Sequence, residues 1–406
     1  MIVAGWLMLP DPHQGVCLKR GFLTVEHGVI RSVELGVEIF MADMGGEGTI
    51  VCPGFVDAHM HLPQVPVIGA DGLGLLQWLD RVVFPVEASW ADPDLAGEAT
   101  DHAVRTLCSF GTTAFAAYAT VHFDAAKAAM RAAAEIGVRA LIGQVLMDRN
   151  APEELVRPAA QLLQEAAKHD QIGRVRPAVS PRFAISCTPE LLAGAGKVAE
   201  TTGQFVQTHL SETRDECAKV RELFDGLSYT EVYARAGLLR RRCVLGHGIW
   251  LDDEERRTIG KSGAAIAHCP TANAFLGAGM MDLRRNVEAR IRPAPGSDIG
   301  AGPDRSMVRV ARAMLDTARL RGDQAPPASH AWWSITGGNA SVLGFDDAGQ
   351  IEQGRSADLL LIEPDIELEL GEDGPSIDPL AALLYAWDDR WLKRTLVHGK
   401  TVYASL

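Results

Sequence analysis

The chain has 406 residues, of which 47% are hydrophobic and 22% charged, a globular composition with enough apolar material for one large domain and a smaller one. Its net charge of -13 argues against a nucleic-acid partner, which requires a basic surface, and leaves small neutral or cationic ligands open. The apolar runs are interrupted well short of the roughly 18 residues that suggest a membrane span. We therefore expect no membrane partner.

The N-terminal segment "MIVAGWLMLPDPHQG" lacks a basic leader followed by a cleavage site, so it is interpreted as a first strand and the protein as cytoplasmic. Short alternating segments follow in "GFLTVEHGVIRSVEL" and recur near the C-terminus in "GQIEQGRSADLLLIEP" and "KRTLVHGKTVY". Two strand-rich ends predict one small β-sandwich domain, built from residues 1–50 and 351–406.

Between these ends, over residues 51–350, short apolar runs alternate with helix-patterned stretches such as "AAKAAMRAAAEIG" and "TPELLAGAGKVAETTG". Eight runs have the character of strands: "GFVDAHMH", "TTAFAAYAT", "RALIGQVLM", "VRPAVSP", "FVQTHLS", "CVLGHG", "AAIAHCP" and "RPAPGSD". The fold class predicted is α/β, a (β/α)8 TIM barrel inserted between the halves of the terminal domain. The eighth run differs from the others in being short and broken by prolines.

Potential metal ligands lie where these strands end. His59 and His61 share one face at the end of the first strand, since side chains alternate along a strand. His209 ends the fifth strand, His247 the sixth and Asp298 the eighth. Catalytic residues of such barrels lie at the carboxyl ends of the strands, and histidine with carboxylate suits a single divalent ion.

Each of these residues also has a structural interpretation. His209 could be a packed core histidine, Asp298 a turn or helix-cap residue, and Glu212 the cap of the helix that begins in "SETRDE". His122 and His268 could support the ligands or be purely structural. The seven cysteines form no CxxC pair, so no disulfide framework is predicted, and only Cys269, beside His268, is held open as a metal-proximal thiol.

The chain resembles the guanine deaminases of the amidohydrolase superfamily along its whole length. The resemblance depends on the motifs together, which are "PGFVDAHMHLPQ", "LLQWLDRVVFPVE", "MDRN", "PRFAISC", "THLSETRDE", "AHCPTAN" and "YAWDDR". It implies that His59, His61, His209 and Asp298 hold one Zn²⁺ per subunit, with Fe²⁺ as the alternative ion. It also implies that His247 assists the attacking water and that Glu212 shuttles protons.

The same resemblance implies that Gln64, Arg182 and Phe183 bind guanine or a related purine. A guanidinium, an amide and an aromatic face are chemically suited to a flat heterocycle with mixed donors and acceptors. For Arg182 the alternative is an ion pair at the surface or the edge of the core. The implied reaction is hydrolysis of guanine to xanthine and ammonia. By analogy with similar barrels, we expect a homodimer.

Related enzymes with two metals use a carboxylated lysine from a middle strand. Between the HMH and THLSE motifs the lysines are Lys127, Lys168 and Lys197, all in helix-patterned stretches, which favours a mononuclear site. One segment departs from the family: "IGAGPDRSM" follows Asp298, where glycine and an aromatic residue are expected. The substrate is therefore left open among guanine, other aminopurines and related heterocycles such as 8-oxoguanine or triazine-like compounds. Two other classes also stay open: a non-catalytic metal- or purine-binding relative, and a hydrolase that opens an amide ring on one metal.

Overall fold

The computed structural model describes residues 1–36, 42–368, 370 and 377–405. The first four strands are β1 (Ile2–Asp11), β2 (Gly15–Glu26), β3 (Val29–Leu35) and β4 (Met44–Pro53). Eight further strands are β5 (Phe55–His61), β6 (Thr112–Tyr118), β7 (Arg139–Leu146), β8 (Val175–Pro181), β9 (Phe205–Leu210), β10 (Cys243–His247), β11 (Ala265–His268) and β12 (Arg292–Pro295). The last three are β13 (Leu359–Ile362), β14 (Leu392–Val397) and β15 (Lys400–Ala404).

Fifteen α-helices accompany the strands in the described ranges. They are α1 (Leu75–Trp78), α2 (Phe84–Ser89), α3 (Pro93–Ser109), α4 (Phe123–Ile136), α5 (Ala159–Ala166), α6 (Pro189–Thr202), α7 (Arg214–Leu223), α8 (Tyr229–Arg235), α9 (Asp253–Ser262), α10 (Pro270–Phe275), α11 (Leu283–Glu288), α12 (Met307–Leu320), α13 (Ala328–Trp333), α14 (Asn339–Leu343) and α15 (Pro379–Tyr385). None of these helices is long and apolar enough to cross a membrane.

Strands β5 to β12 form a parallel sheet in chain order, as the eight predicted runs required. Two backbone bonds connect its first strand with the segment after its last: Asp298 N donates to His59 O at 2.8 Å, and His61 N donates to Ile299 O at 2.7 Å. These bonds close the barrel and bring the end of β5 beside Asp298. The predicted (β/α)8 barrel is confirmed, and the proline-broken eighth strand is present.

The terminal strands form one seven-stranded sheet in the order β15-β14-β13-β4-β1-β2-β3. Strands β1 and β4 pair in parallel and the other neighbours pair antiparallel. Both ends of the chain therefore build one β-domain, as predicted, and it has its own apolar cluster that includes Val3, Leu23, Val51 and Leu359. The proposed boundaries at residues 50 and 351 stay a prediction.

A partly buried ion pair joins this sheet to the barrel. Arg174, which precedes β8, donates to both carboxylate oxygens of Asp358 at 3.0 and 2.6 Å, just before β13. Asp358 is buried and also accepts from His398 N at 2.7 Å. A paired arginine and carboxylate with further hydrogen bonds fix the two parts at this point.

Candidate metal centre and active site

Five side chains predicted from the sequence meet at the carboxyl ends of the barrel strands. His59 Nε2 and His61 Nε2 lie 3.3 and 3.4 Å from the same Asp298 oxygen, Oδ1. His61 Nε2 is 3.1 Å from His209 Nε2, and His247 Nε2 is 3.8 Å from Asp298 Oδ2. All five residues are buried or nearly so. The strand ends therefore bring together the residues that the sequence pattern singled out.

This arrangement fits a single metal ion. His59, His209, His247 and Asp298 each offer a ligand atom, and these atoms lie within 4.8 Å of one another. Two ligands at zinc-nitrogen distance on a tetrahedral ion are about 3.3 Å apart. Within the described part of the chain, His59 Nε2 is buried without a hydrogen-bond partner, which is costly unless another group binds it. A divalent ion would supply that partner.

Hydrogen bonds orient two of the imidazoles. His209 Nδ1 lies 2.6 Å from the carbonyl oxygen of Arg182, and His247 Nδ1 lies 2.9 Å from Asn273 Oδ1. Both partners are acceptors, so each Nδ1 carries the proton and each Nε2 is left with a lone pair facing the centre. The ring of Tyr118 stacks on His61 at 4.7 Å between centroids. These contacts hold the donor atoms in position before any ion binds.

Asp57 accepts hydrogen bonds from the backbone beside two of the potential metal ligands, His59 and Asp298. It lies in β5, two residues before His59, and accepts from His59 N at 3.1 Å and from Ser297 N at 3.0 Å. The Ser297 hydroxyl also donates to it. Burial, partly offset by these bonds, raises the pKa of Asp57 to about 6. The carboxylate thus connects the first strand to the residue that precedes Asp298.

The backbone around the site is tightly constrained. His247 and Asp298 have φ angles of 70° and 50°, a left-handed conformation that is uncommon for non-glycine residues and is concentrated at functional sites. A Cβ at Gly246 would lie 2.8 Å from His59 Cε1, and one at Gly296 would lie 2.8 Å from His59 Cβ. Glycine at these two positions gives His59 the space that it occupies.

Burial and neighbouring charges shift the pKa values of the histidines and carboxylates of the site in different directions. Burial lowers the pKa of His61 to about 4 and holds the pKa of His209 well below its usual value, so both are neutral near pH 7. Burial would raise the pKa of Asp298, but the neighbouring His59 and His61 hold it well below its usual value. Burial and the charges of Glu216 and Asp298 raise the pKa of Glu212 well above its usual value.

A cavity of about 390 Å³, including its open mouth, lies directly over the histidine cluster. All three predicted substrate-binding residues, Gln64, Arg182 and Phe183, line it together with Glu212, which is 3% exposed. Glu212 Oε2 is 3.5 Å from His247 Nε2, and its Oε1 has no hydrogen-bond partner among the described residues. A small flat ligand would thus meet Glu212 and the cluster together.

Arg182 does form an ion pair, but inside the site and not at the surface or the edge of the core. Arg182 is 3% exposed and its Nη1 donates to Glu87 Oε1 at 2.6 Å. Sequence reasoning missed Glu87 and Asn273, although both lie within motifs quoted for the family. It also gave Asp57 no role, where the alternation of Asp57, His59 and His61 on one strand face was an available signal.

The structure describes the surroundings of Cys269, His268 and His122, for which the sequence allowed a role near the metal. The Cys269 thiol donates to Ala267 O at 3.7 Å, and burial raises its pKa well above the usual value, as for a packed thiol. His268 is fully buried, and neither ring nitrogen has a hydrogen-bond partner in the described ranges. His122 Nδ1 contacts Arg157 Nη2 at 3.2 Å. These three residues are absent from the lining of the cavity as described.

The segment "IGAGPDRSM" after Asp298, which differs from the family pattern, contributes Ala301 to the cavity wall. Pro303 and Arg305 are exposed and Asp304 is half-buried. Pro303, Asp304 and Arg305 are absent from the lining of the cavity as described, and the segment contributes the small side chain of Ala301 to it.

A parallel barrel with a buried histidine and aspartate cluster at its strand ends defines a metal-binding TIM-barrel protein. The amidohydrolase family model matches residues 50–402. Guanine deaminase of Escherichia coli K12 is 34% identical over 367 residues, 88% of this chain and 83% of the relative, and that of Dictyostelium discoideum is 33% identical over 377 residues, 89% and 83%. The chain therefore belongs to the amidohydrolase family and, within it, to the guanine deaminases.

Solved structures agree with this membership. Guanine deaminase from C. acetobutylicum, with guanine bound in its active site, aligns with a TM-score of 0.90 at 29% identity. The alignment covers 99% of both chains. The barrel and the terminal sheet are therefore shared as one unit.

Proposed function

We propose that the protein hydrolyses guanine to xanthine and ammonia. The observation that carries the proposal is the single cavity that Gln64, Arg182 and Phe183 line together with Glu212 and members of the histidine cluster. The similarity to guanine deaminases over most of the chain supports the same reaction.

We propose that His59, His61, His209 and Asp298 hold one Zn²⁺ per subunit, with Fe²⁺ as the alternative because this donor set accommodates both ions. His61 Nε2 lies 3.1 Å from His209 Nε2, and Asp298 Oδ1 lies 3.3 and 3.4 Å from the Nε2 atoms of His59 and His61. Ligand atoms around one ion are expected at such distances from one another. When bound, such an ion lowers the pKa of water toward about 7. His247 is oriented by Asn273, and its Nε2 lies close to Glu212 beside the proposed ligands. We assign it the role of assisting the attacking water.

Glu212 is the proposed proton carrier. Burial and the neighbouring charges of Glu216 and Asp298 raise its pKa, which favours the protonated form of the carboxyl that a proton donor requires. It donates this proton to the ring nitrogen beside the carbon that bears the amine. It then takes the proton of the attacking water, which Asp298 and His247 orient, and passes it to the departing amine. The carbon-nitrogen bond breaks and ammonia leaves. The proton of the hydroxyl group that remains on the carbon returns to the Glu212 carboxylate, which forms the carbonyl group of xanthine and restores the acid.

Arg182, Gln64 and Phe183 are proposed to hold the purine. The guanidinium and amide supply hydrogen bonds to the ring edge, and the aromatic ring of Phe183 covers an apolar face. Replacing Arg182 by alanine should raise the KM for guanine far more than it lowers kcat. Unchanged kinetics in that variant would remove Arg182 from the binding site.

The test is ammonia release and product identification with guanine, adenine, cytosine, 8-oxoguanine and a triazine, on zinc-loaded protein and a chelated control. Formation of xanthine from guanine, lost on chelation, supports the proposal. Activity on another member of the panel alone would refute guanine as the substrate, and ammonia from none of them would refute deamination. The homodimer and the cytoplasmic location stay predictions for light scattering and cell fractionation.

A further inference from the structure

Glu87 is a buried carboxylate that contacts two of the proposed substrate-binding residues and has no role in the chemistry above. We propose that Glu87 sets the substrate specificity of the cavity by fixing which end of the Gln64 amide faces the ligand. The inference rests on the proposed function, because it specifies which purine edge this same site recognises.

Glu87 forms an ion pair with Arg182 in the interior of the protein. Glu87 lies in α2, in the segment that covers the barrel mouth, and is 2% exposed. Arg182 Nη1 donates to its Oε1 at 2.6 Å, and Arg182 is itself 3% exposed. A buried guanidinium at this distance stabilises the charged carboxylate.

That charge determines the orientation of Gln64. Gln64 is 1% exposed and its Nε2 donates to Glu87 Oε1 at 3.0 Å. An ionised carboxylate has no hydrogen to give, so only the NH₂ end of the amide can face it. The carbonyl oxygen of Gln64 is therefore turned away from Glu87 and remains available as an acceptor.

The two recognition groups are neighbours. Gln64 Nε2 and Arg182 Nη1 donate to the same oxygen of Glu87, and both residues line the cavity. Arg182 has further N–H groups to donate, while Gln64 presents an acceptor. An acceptor beside a donor is complementary to a lactam edge, in which a ring N–H lies next to a carbonyl oxygen. Guanine has this edge at N1 and O6; adenine has the reverse pattern, a ring acceptor beside an amino donor.

Hypoxanthine and adenine isolate this edge, because neither has the 2-amino group that the proposed reaction removes. Their dissociation constants would be measured by calorimetry on zinc-loaded wild type, Glu87→Gln and Glu87→Asp. We expect the wild type to prefer hypoxanthine at least about tenfold, since a site built around hydrogen bonds rejects the mismatched pattern. In Glu87→Gln the neutral amide accepts or donates, Gln64 is free to turn, and the preference should fall toward one.

A purely structural role would weaken both ligands equally and leave their ratio unchanged, which would overturn the inference. A wild type without preference would also overturn it. Glu87→Asp keeps the charge opposite Arg182 but withdraws the carboxylate from Gln64, so a reduced ratio is expected even if Glu87→Gln does not fold, and an unchanged ratio there counts against the inference. Guanine turnover by the same wild-type preparation tests the reaction separately: selective hypoxanthine binding without turnover would refute the deaminase function and not the role of Glu87.

Discussion

Replacing Glu212 by glutamine removes the proposed proton carrier with little change in shape. The carboxyl is 3% exposed, lines the cavity, and leaves Oε1 without a hydrogen-bond partner within the described residues, so this oxygen is free to reach a ligand. Glutamine keeps the size and the ability to hydrogen-bond but cannot transfer a proton. Zinc binding should be unchanged, because the amide replaces a group outside the proposed ligand set.

The loss of kcat expected for Glu212→Gln follows from the role of Glu212 as a general acid and base. General acid-base catalysis contributes about 10²- to 10⁴-fold, equivalent to roughly 3 to 5 kcal/mol of transition-state stabilisation. Glu212 is assigned two proton transfers, to the ring nitrogen and to the departing amine, so we expect kcat to fall near the upper end of this range. A substrate with chloride in place of the amine needs no proton on its leaving group and should lose less.

The assay is ammonia release at saturating guanine, with bound metal measured on the same samples. Glu255→Gln is a matched control, because Glu255 is also a buried glutamate but caps α9 by accepting from Asp252 N at 3.0 Å. The control should retain kcat. Wild-type turnover by metal-loaded Glu212→Gln would refute the assignment, as would an equal loss in the control.

Three further outcomes test other parts of the molecule. Asp57→Asn should weaken zinc binding about 10- to 100-fold in a chelator competition, because Asp57 supports His59, and unchanged affinity would contradict that support. Asp358→Ala should lower the free energy of unfolding by about 3 kcal/mol in urea titrations, because Arg174 then keeps only the neutral acceptors Gly137 O and Ser356 Oγ; a change below about 1 kcal/mol would show the ion pair to be dispensable. His169 has a pKa lowered from 6.5 to about 4 by burial and then by Lys127, so stability is lost as the pH falls through this interval. Between pH 6.5 and 5 the wild type should lose about 2 kcal/mol more than His169→Gln, and equal losses in the two proteins would refute the shift.

The barrel could be predicted from the sequence because each strand is a short buried run bounded by glycine, proline or a helix signal. Even "RPAPGSD" forms the expected strand, since the sheet pairs Arg292–Pro295 with β11. The positions of His59, His209 and Asp298 followed from the same pattern, because parallel strands end at one face of the barrel.

The supporting contacts could not be predicted in this way. Glu87 reaches Arg182 only because the segment carrying α1 and α2 folds across the barrel mouth, and no periodicity encodes that path. Asn273 contacts His247 from a different strand-helix connection, 26 residues away. The motifs that contain Glu87 and Asn273 indicated the family, but they did not indicate which side chains these two residues contact.

One metal ion per chain is proposed to support the hydrolysis of guanine. Zinc would be titrated into metal-free protein while xanthine and ammonia are measured together. The rate should rise linearly to one equivalent per chain and then stay constant, with the two products formed in equal amounts. A rate that keeps rising to two equivalents, or no xanthine at one equivalent, would contradict this proposal.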